Sequence, residues 1–298
     1  MSDNSTQNET DCLLADNTAN GILLAIYSVV FLGGFIGTLI MIFLICRTNT
    51  RSVTITAVIN LVVAHTVFLL TVPFRIAYII QKKWIFTTIF CRLVSAMIHI
   101  HMYICFVFYL IMLGTRFVIF FQHKDKIEFY RILHSVATSA AVWIVILIIA
   151  LPTFLVYGQN SIPNLPDRCF YFHKELSSNI VIIMNYIIIA IMISVVCLLL
   201  TIQILIIVKV VKKIQGSVLV HQEFWAQLKS LFFILVMLFC FLPFHLFRIY
   251  YLKHTDSCST YNEISLAVTA LSCLDLSIFA IHTYFHKVCQ RNMCKCLI

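Results

Sequence analysis

ILLAIYSVVFLGGFIGTLIMIFLIC, residues Ile22 to Cys46, carries no charged side chain over 25 positions. A helix rising ~1.5 Å per residue crosses the hydrocarbon of a bilayer in ~20 apolar residues, so this run is long enough to span. It is longer than the apolar part of a secretory signal and follows 21 polar and acidic residues with no basic cluster, so it reads as a retained anchor. Six more apolar runs follow, at roughly Val53 to Phe74, Leu93 to Thr115, Ser135 to Tyr157, Leu176 to Val208, Ser230 to Phe247 and Ile264 to His286. The expected fold is therefore all-α: a seven-transmembrane helix bundle over residues 22–286, between a tail at 1–21 and a segment at 287–298. Composition agrees, with 61% hydrophobic and 11% charged residues among 298 and a mean hydropathy of +0.99. That leaves too little polar surface to coat a water-soluble globule, and makes the lipid bilayer the first partner.

Charge placement orients the bundle. No Lys or Arg occurs between Met1 and Cys46, whereas alternate loops carry Arg47 and Arg51, then Lys124, Lys126 and Arg131, then Lys209, Lys212 and Lys213, and finally Lys287, Arg291 and Lys295. This is the positive-inside pattern: those loops and the C-terminus are expected in the cytoplasm, the N-terminus outside, and the net charge of +9 needs no nucleic acid to explain it. Lys82, Lys83 and Arg92 run against the trend. An outer N-terminus makes Asn4 (Asn4-Ser5-Thr6) and Asn8 (Asn8-Glu9-Thr10) acceptors for N-glycosylation.

The same topology sorts the 12 cysteines. Cys12, Cys91, Cys169 and Cys258 fall outside, where oxidation pairs them; of three connectivities, topology favours Cys91 with Cys169, leaving Cys12 for Cys258. After the last span, Phe285, Val288, Cys289, Met293 and Cys296 recur at helical spacing opposite Lys287, Arg291 and Lys295. This predicts a short amphipathic helix on the inner leaflet, with Cys289, Cys294 and Cys296 as acylation sites. The fifth run is long enough either to project beyond the inner leaflet or to tilt with a frayed end.

Polar residues inside a bilayer are costly and invite a functional reading. Asp275 lies in the seventh run, and His65 and Asn60 in the second; together they make either one switching network or plain packing bonds. Arg116 ends the third run, where a guanidinium can snorkel to water. Pro73, Pro152 and Pro243 each remove a helix hydrogen bond and permit a kink. Gly33 and Gly37 form a small-residue face suited to close packing.

Taken in order, these residues resemble the rhodopsin-like (class A) G-protein-coupled receptors over essentially the whole chain. Cys91 with Arg116 25 positions later resembles the family's disulfide cysteine and the arginine of its D-R-Y motif. Trp143 is similar to its fourth-span tryptophan, Cys240-Phe241-Leu242-Pro243 to C-W-x-P, and Asn60-Leu61 with His65 to N-L-x-x-x-D. Ser272-Cys273-Leu274-Asp275 with Phe279 resembles the seventh-span N/S-x-x-D/N-P-x-x-Y region. Pro243-Phe244-His245 with Arg248 resembles the signature of the purinergic and related lipid receptors, where a bond of the Cys12–Cys258 type is usual. Segments such as Asn49 to Val53, His221 to Gln227 and Phe247 to Leu252 resemble an orphan member of that branch.

The resemblance implies a plasma-membrane receptor that couples an extracellular ligand to a heterotrimeric G protein, with no cofactor, no metal and no enzymatic activity. Pro243 would be the pivot, Phe241 a rotamer switch and Arg116 the G-protein contact. Departures matter too. Thr115 stands where an acid usually precedes the arginine, so the local ion pair that restrains the resting state is missing. His65 replaces the carboxylate that holds sodium in relatives, Thr38 the first-span asparagine, and Leu276 and Phe279 the proline and tyrosine of the seventh span. Ile98 and Thr269 occupy the positions of the amine-binding aspartate and the retinal lysine. What remains is a cationic, aromatic set, Arg75, Arg92, His99, Tyr103, Arg168, Phe244, His245 and Arg248, suited to phosphate or carboxylate. The plainer alternative has Arg75, Arg92 and Arg248 snorkel at helix ends or pair with Asp167, Asp256 and Glu263. The tail has no Ser or Thr after Thr283, leaving Ser217 and Ser230 as inner phosphorylation sites.

Two other classes compete. A haem-binding redox protein would use His65, His99, His101 and His245 as axial ligands from adjacent helices. A small-solute transporter would need a polar path, for which Asp275 is the single acid within the bundle.

Overall fold

The computed structural model describes residues 16–47, 53–122, 135–148, 169–170, 179–213, 222–253 and 259–280, and the regular structure among them is entirely helical. Six helices are long and apolar enough to cross a membrane, and a shorter apolar helix, Ser135–Ile148, stands in the place of the fourth run. Among the described residues the protein is thus a multi-pass bundle of six membrane-length helices and this shorter one, in the order expected of seven spans. Segments carrying Asn4, Asn8, Cys12, Arg168, Cys258, Cys289, Cys294 and Cys296 lie outside the described residues, as do Pro152, Ser217 and the expected amphipathic tail.

The helices outrun the apolar stretches that announce them. The first occupies Asp16–Cys46, the third Thr88–Gln122 and the fifth Asn179–Lys213. At 35 residues the fifth is ~50 Å long against a hydrocarbon core of ~30 Å, so it forms one continuous helix longer than the membrane is thick. Hydropathy marks only the part of a helix that meets lipid; the polar ends stay helical because their backbone bonds are already in register.

Three spans are interrupted. The second comprises Val53–Leu69 and Val72–Gln81, with Pro73 in the first turn of the latter half. Proline withholds its own donor, and the Thr71 hydroxyl donates to the Phe68 carbonyl at 2.7 Å across the break. The sixth runs Gln222–Val236, widens into a π-turn at Met237–Phe241, and resumes as Leu242–Tyr251 with Pro243 in its first turn. The seventh runs Ser259–Thr269, tightens into a 3-10 turn at Ala270–Leu274, and returns to α-helix over 275–280.

Large side chains fill the axis: Phe68, Met102, Phe108, Tyr109, Leu113 and Phe241 are fully buried, while Leu32, Leu70, Ile148 and Leu198 point outward. Gly33, Gly34 and Gly37 sit in the seam between the first and seventh spans. A Cβ on Gly33 would come within 2.5 Å of Leu274, and one on Gly37 within 2.7 Å of the Ser277 backbone nitrogen. The Ser277 hydroxyl donates across that seam to the Gly33 carbonyl at 2.7 Å. The small-residue face thus packs inside the bundle. At one end, the Cys91–Cys169 disulfide fixes the top of the third span beside Trp84 and Phe170.

Candidate functional site

Midway along the bundle, polar groups from three spans meet in a dry core. His65 Nε2 lies 3.0 Å from Asp275 Oδ1, and the Tyr109 hydroxyl donates to Asp275 Oδ2 at 2.6 Å. A carboxylate oxygen only accepts, so Nε2 carries a hydrogen and points it at Asp275. The other nitrogen, His65 Nδ1, stands 2.8 Å from His101 Nε2, with Cys105 and Cys273 sulfurs each 3.7 Å away. Phe68 stacks on His101 with centroids 4.4 Å apart and fixes that ring. His65, His101, Cys105, Tyr109, Cys273 and Asp275 are all essentially inaccessible, so each unmade bond would be expensive.

Asn60 does not join this core. It bonds Ser139 at 3.0 Å and accepts from Trp143 Nε1 at 2.9 Å, tying the second span to the fourth. Five positions along a helix correspond to a rotation of ~140°, so a residue on the face opposite the fourth span cannot share the His65 direction.

A second polar group lies at the Cys91 end. Arg75 is buried, donates to Tyr27 at 3.2 Å and to the Val94 carbonyl at 2.9 Å, covers the Phe170 ring at 4.5 Å, and reaches Glu263 at 3.9 Å. Arg248 is 7% exposed; it donates to Asn185 at 3.4 Å and Asn262 at 3.2 Å and covers Phe244 and Tyr251. The Ser95 carbonyl accepts from Arg75 and from His99 Nδ1, both at 3.4 Å, joining the two sides. His99 packs on Phe244, and Tyr103 on His245. Buried His245 Nε2 and Ser95 Oγ have no hydrogen-bond partner. Seven of the eight residues expected to line a ligand site fall within the described structure; six of them are knit together here, and Arg92 is half-buried beside Cys91. Of the plainer alternatives, the Arg75–Glu263 pair is present, while Asp167 and Asp256 lie outside the described residues.

At the opposite end Arg116 reaches the sixth span. Its Nη1 donates to Ser230 Oγ at 3.0 Å and to the Ala226 carbonyl at 3.3 Å, and it covers Phe233. Thr115 turns its hydroxyl back to the Ile111 and Met112 carbonyls. The absent acid is thus replaced by neutral oxygens from a different helix. Ser230 is fully buried in that tie, which removes it from the sites a kinase can reach. Phe241 stacks on Tyr109 at 6.1 Å, and Phe233 packs on Tyr109 at 5.5 Å and Phe279 at 6.0 Å, so aromatic rings connect the middle to Arg116.

Tyr109, His101 and Tyr27 were not singled out for these roles by the sequence, because apolar periodicity buries them without saying what they face. His65 and His101 meet nitrogen to nitrogen, leaving no gap for a macrocycle, and His99 and His245 both lean on Phe244; neither pair can sandwich a haem iron.

Comparison with known proteins points one way. Residues 37–281 match the model of the 7 transmembrane receptor (rhodopsin family). The chain is 52% identical over 265 residues to human "Probable G-protein coupled receptor 141", covering 86% of this chain and 87% of the relative. It is 25% identical over 307 residues to "Probable G-protein coupled receptor 34" of Pan troglodytes, covering 96% and 79%. It is 26% identical over 156 residues to "C-C chemokine receptor type 3" of Macaca fascicularis, covering 50% and 44%.

Proposed function

The chain belongs to the rhodopsin family of seven-transmembrane receptors, and from that premise we propose that it carries the signal of a small anionic ligand, a nucleotide or a lysophospholipid, to a heterotrimeric G protein. In this reading it sits in the plasma membrane with the Cys91 end and residues 1–21 outside, glycosylated at Asn4 and Asn8. A second disulfide, Cys12–Cys258, would close the outer face, and the tail 287–298 would lie on the cytoplasmic leaflet, acylated at one or more of Cys289, Cys294 and Cys296.

One observation carries the ligand class: Arg248 is buried in the mouth yet held by neutral amide oxygens and ring faces, with His245 Nε2 and Ser95 Oγ unpartnered nearby. A phosphate or carboxylate entering there meets a desolvated guanidinium able to form paired, charge-assisted bonds. Arg168 of the loop next to Cys169 is the further cation that the ligand would recruit. The mechanism follows from the sixth span. Ligand contact with Phe244, His245 and Arg248 acts just above the π-turn and Pro243, an element that can bend without breaking further helix bonds. Movement below the turn separates Ser230 from Arg116 and exposes the guanidinium to the G protein, an equilibrium between two arrangements biased by differential ligand affinity.

The test is a concentration series of nucleotides and lysophospholipids on cells expressing the receptor, with G-protein subunit dissociation as readout. An agonist should come from the anionic set; activation only by cations or neutral amines would overturn the reading.

A further inference from the structure

The donor atoms at the centre of the bundle form an arrangement that hydrogen bonding alone does not require. His65 Nδ1, His101 Nε2 and Cys273 Sγ lie within 4.8 Å of one another, each from a different span. Their separations are 2.8 Å between the nitrogens, 3.7 Å from sulfur to His65 and 3.4 Å from sulfur to His101. We propose that these three residues bind a thiophilic divalent ion, zinc in the cell, that staples the second, third and seventh spans together.

The distances decide in favour. Zinc stands ~2.0–2.1 Å from imidazole nitrogen and ~2.3 Å from thiolate, which places nitrogen and sulfur ligands roughly 3.5–3.6 Å apart in a tetrahedron. The two observed nitrogen–sulfur distances straddle that value. The nitrogen pair is closer than the ~3.3 Å of a tetrahedral site, and opening it by about 0.5 Å completes the geometry. Cys105, 3.7 Å from the same His65 nitrogen, is the adjacent candidate for the fourth position.

The surroundings match as well. A ligating histidine usually gives its other N–H to a carboxylate, which fixes the tautomer and raises the basicity of the ligating nitrogen. His65 does so: Nε2–H faces Asp275 at 3.0 Å, Asp275 is held from its other oxygen by Tyr109, and Nδ1 is turned to the donor cluster. His101 Nδ1 is buried without a partner and can take that ring's hydrogen; the 2.8 Å bond from His101 Nε2 to His65 Nδ1 is then given up, and both nitrogens turn to the metal. On binding, two N–M bonds and one S–M bond form, the Cys273 S–H bond breaks, and its proton leaves to the medium. With the dication in place, the Cys273 thiolate and the Asp275 carboxylate bring the site to neutrality, which suits a position shut off from water. A hard cation would find a poorer set, because two nitrogens and a sulfur replace oxygen donors.

The test uses the full-length receptor purified in detergent with Cys289, Cys294 and Cys296 changed to Ser, so that tail thiols contribute nothing. Metal content is counted by inductively coupled plasma mass spectrometry after zinc supplementation and passage over a chelating resin. The expected result is about one zinc per receptor, falling to background in Cys273→Ala and His101→Phe preparations that remain monodisperse. In parallel, cobalt(II) loading of the tail-substituted receptor should give a sulfur-to-cobalt charge-transfer absorption that Cys273→Ala abolishes, a reading independent of how much variant folds. A receptor that carries neither zinc nor the cobalt band, or a Cys273→Ala receptor that binds as much metal as its parent, overturns the proposal.

Discussion

The middle of the bundle and its two ends treat their polar groups in opposite ways. In the middle, the one acid has both oxygens answered, by His65 and Tyr109, in a core that water does not reach. At the ends, two guanidiniums are held among the described residues by neutral oxygens: Arg248 by two asparagine amides, and Arg116 by a serine hydroxyl and a carbonyl. A hydrogen bond to an ionised group contributes ~1.5–3 kcal/mol net in either place, but at the ends the oxygens that answer the guanidiniums carry no opposite charge. The difference is one of charge balance: both Asp275 oxygens are taken up in the core, whereas Arg248 and Arg116 keep a charge that neutral oxygens leave uncompensated.

The largest effect should come from breaking the middle. Asp275→Ala leaves His65 Nε2 and the Tyr109 hydroxyl facing an apolar void, at a cost of about 1–3 kcal/mol for each unsatisfied group. Thermal unfolding of the detergent-solubilised receptor should show it as a lowered midpoint together with reduced surface expression; an unchanged midpoint would show that the core is not a stabilising network. Arg248→Ala at the mouth should leave that midpoint nearly in place but weaken an anionic agonist by roughly 10- to 150-fold in concentration–response curves, matching loss of one charge-assisted bond. Equal potency on both receptors would remove Arg248 from the ligand site. At the other end, Ser230→Ala removes one bond from the Arg116 guanidinium and should raise ligand-independent signalling by about 10-fold in a second-messenger assay, the lower end of the ~1.5–3 kcal/mol of a bond to an ionised group. Basal output that stays flat would mean the sixth span is held elsewhere. The smallest change is expected from Thr115→Asp, which supplies a local acid beside Arg116 and should lower basal output by up to ~5-fold, the range of a partly exposed ion pair. A rise instead would indicate that the new carboxylate draws Arg116 away from Ser230 and frees the sixth span.

The spans could be read from sequence because lipid imposes a long apolar run on every helix that crosses it. What could not be read is how far each helix continues past that run, since Asp16 to Gly21 or Lys209 to Lys213 are polar or basic yet still helical. The pairing of His65 with Asp275 was visible, because a buried acid needs a partner and few were available. Asn60 was placed wrongly, although its rotation from His65 about the helix axis was computable. The role of Tyr109 had no signature at all: a tyrosine in an apolar stripe reads as core, and only the relative rotation of the third and seventh spans decides that its hydroxyl meets Asp275. The mouth residues were nameable individually, but the convergence of Arg75 and His99 on one carbonyl depends on the break at Pro73.

The wide turn at Met237–Phe241 holds one residue more than a regular helix would fit. Each residue advances an α-helix by ~100°, so everything after the turn is offset by about that angle from where an unbroken helix would point it. Phe244, His245 and Arg248 face inward on those terms, whereas Ser230 and Phe233, before the turn, keep their own heading. Absorbing the surplus residue would swivel the half that carries Arg248 against the half that meets Arg116 without moving either helix sideways. Such a turn would act between the two halves as a clutch rather than a rigid shaft.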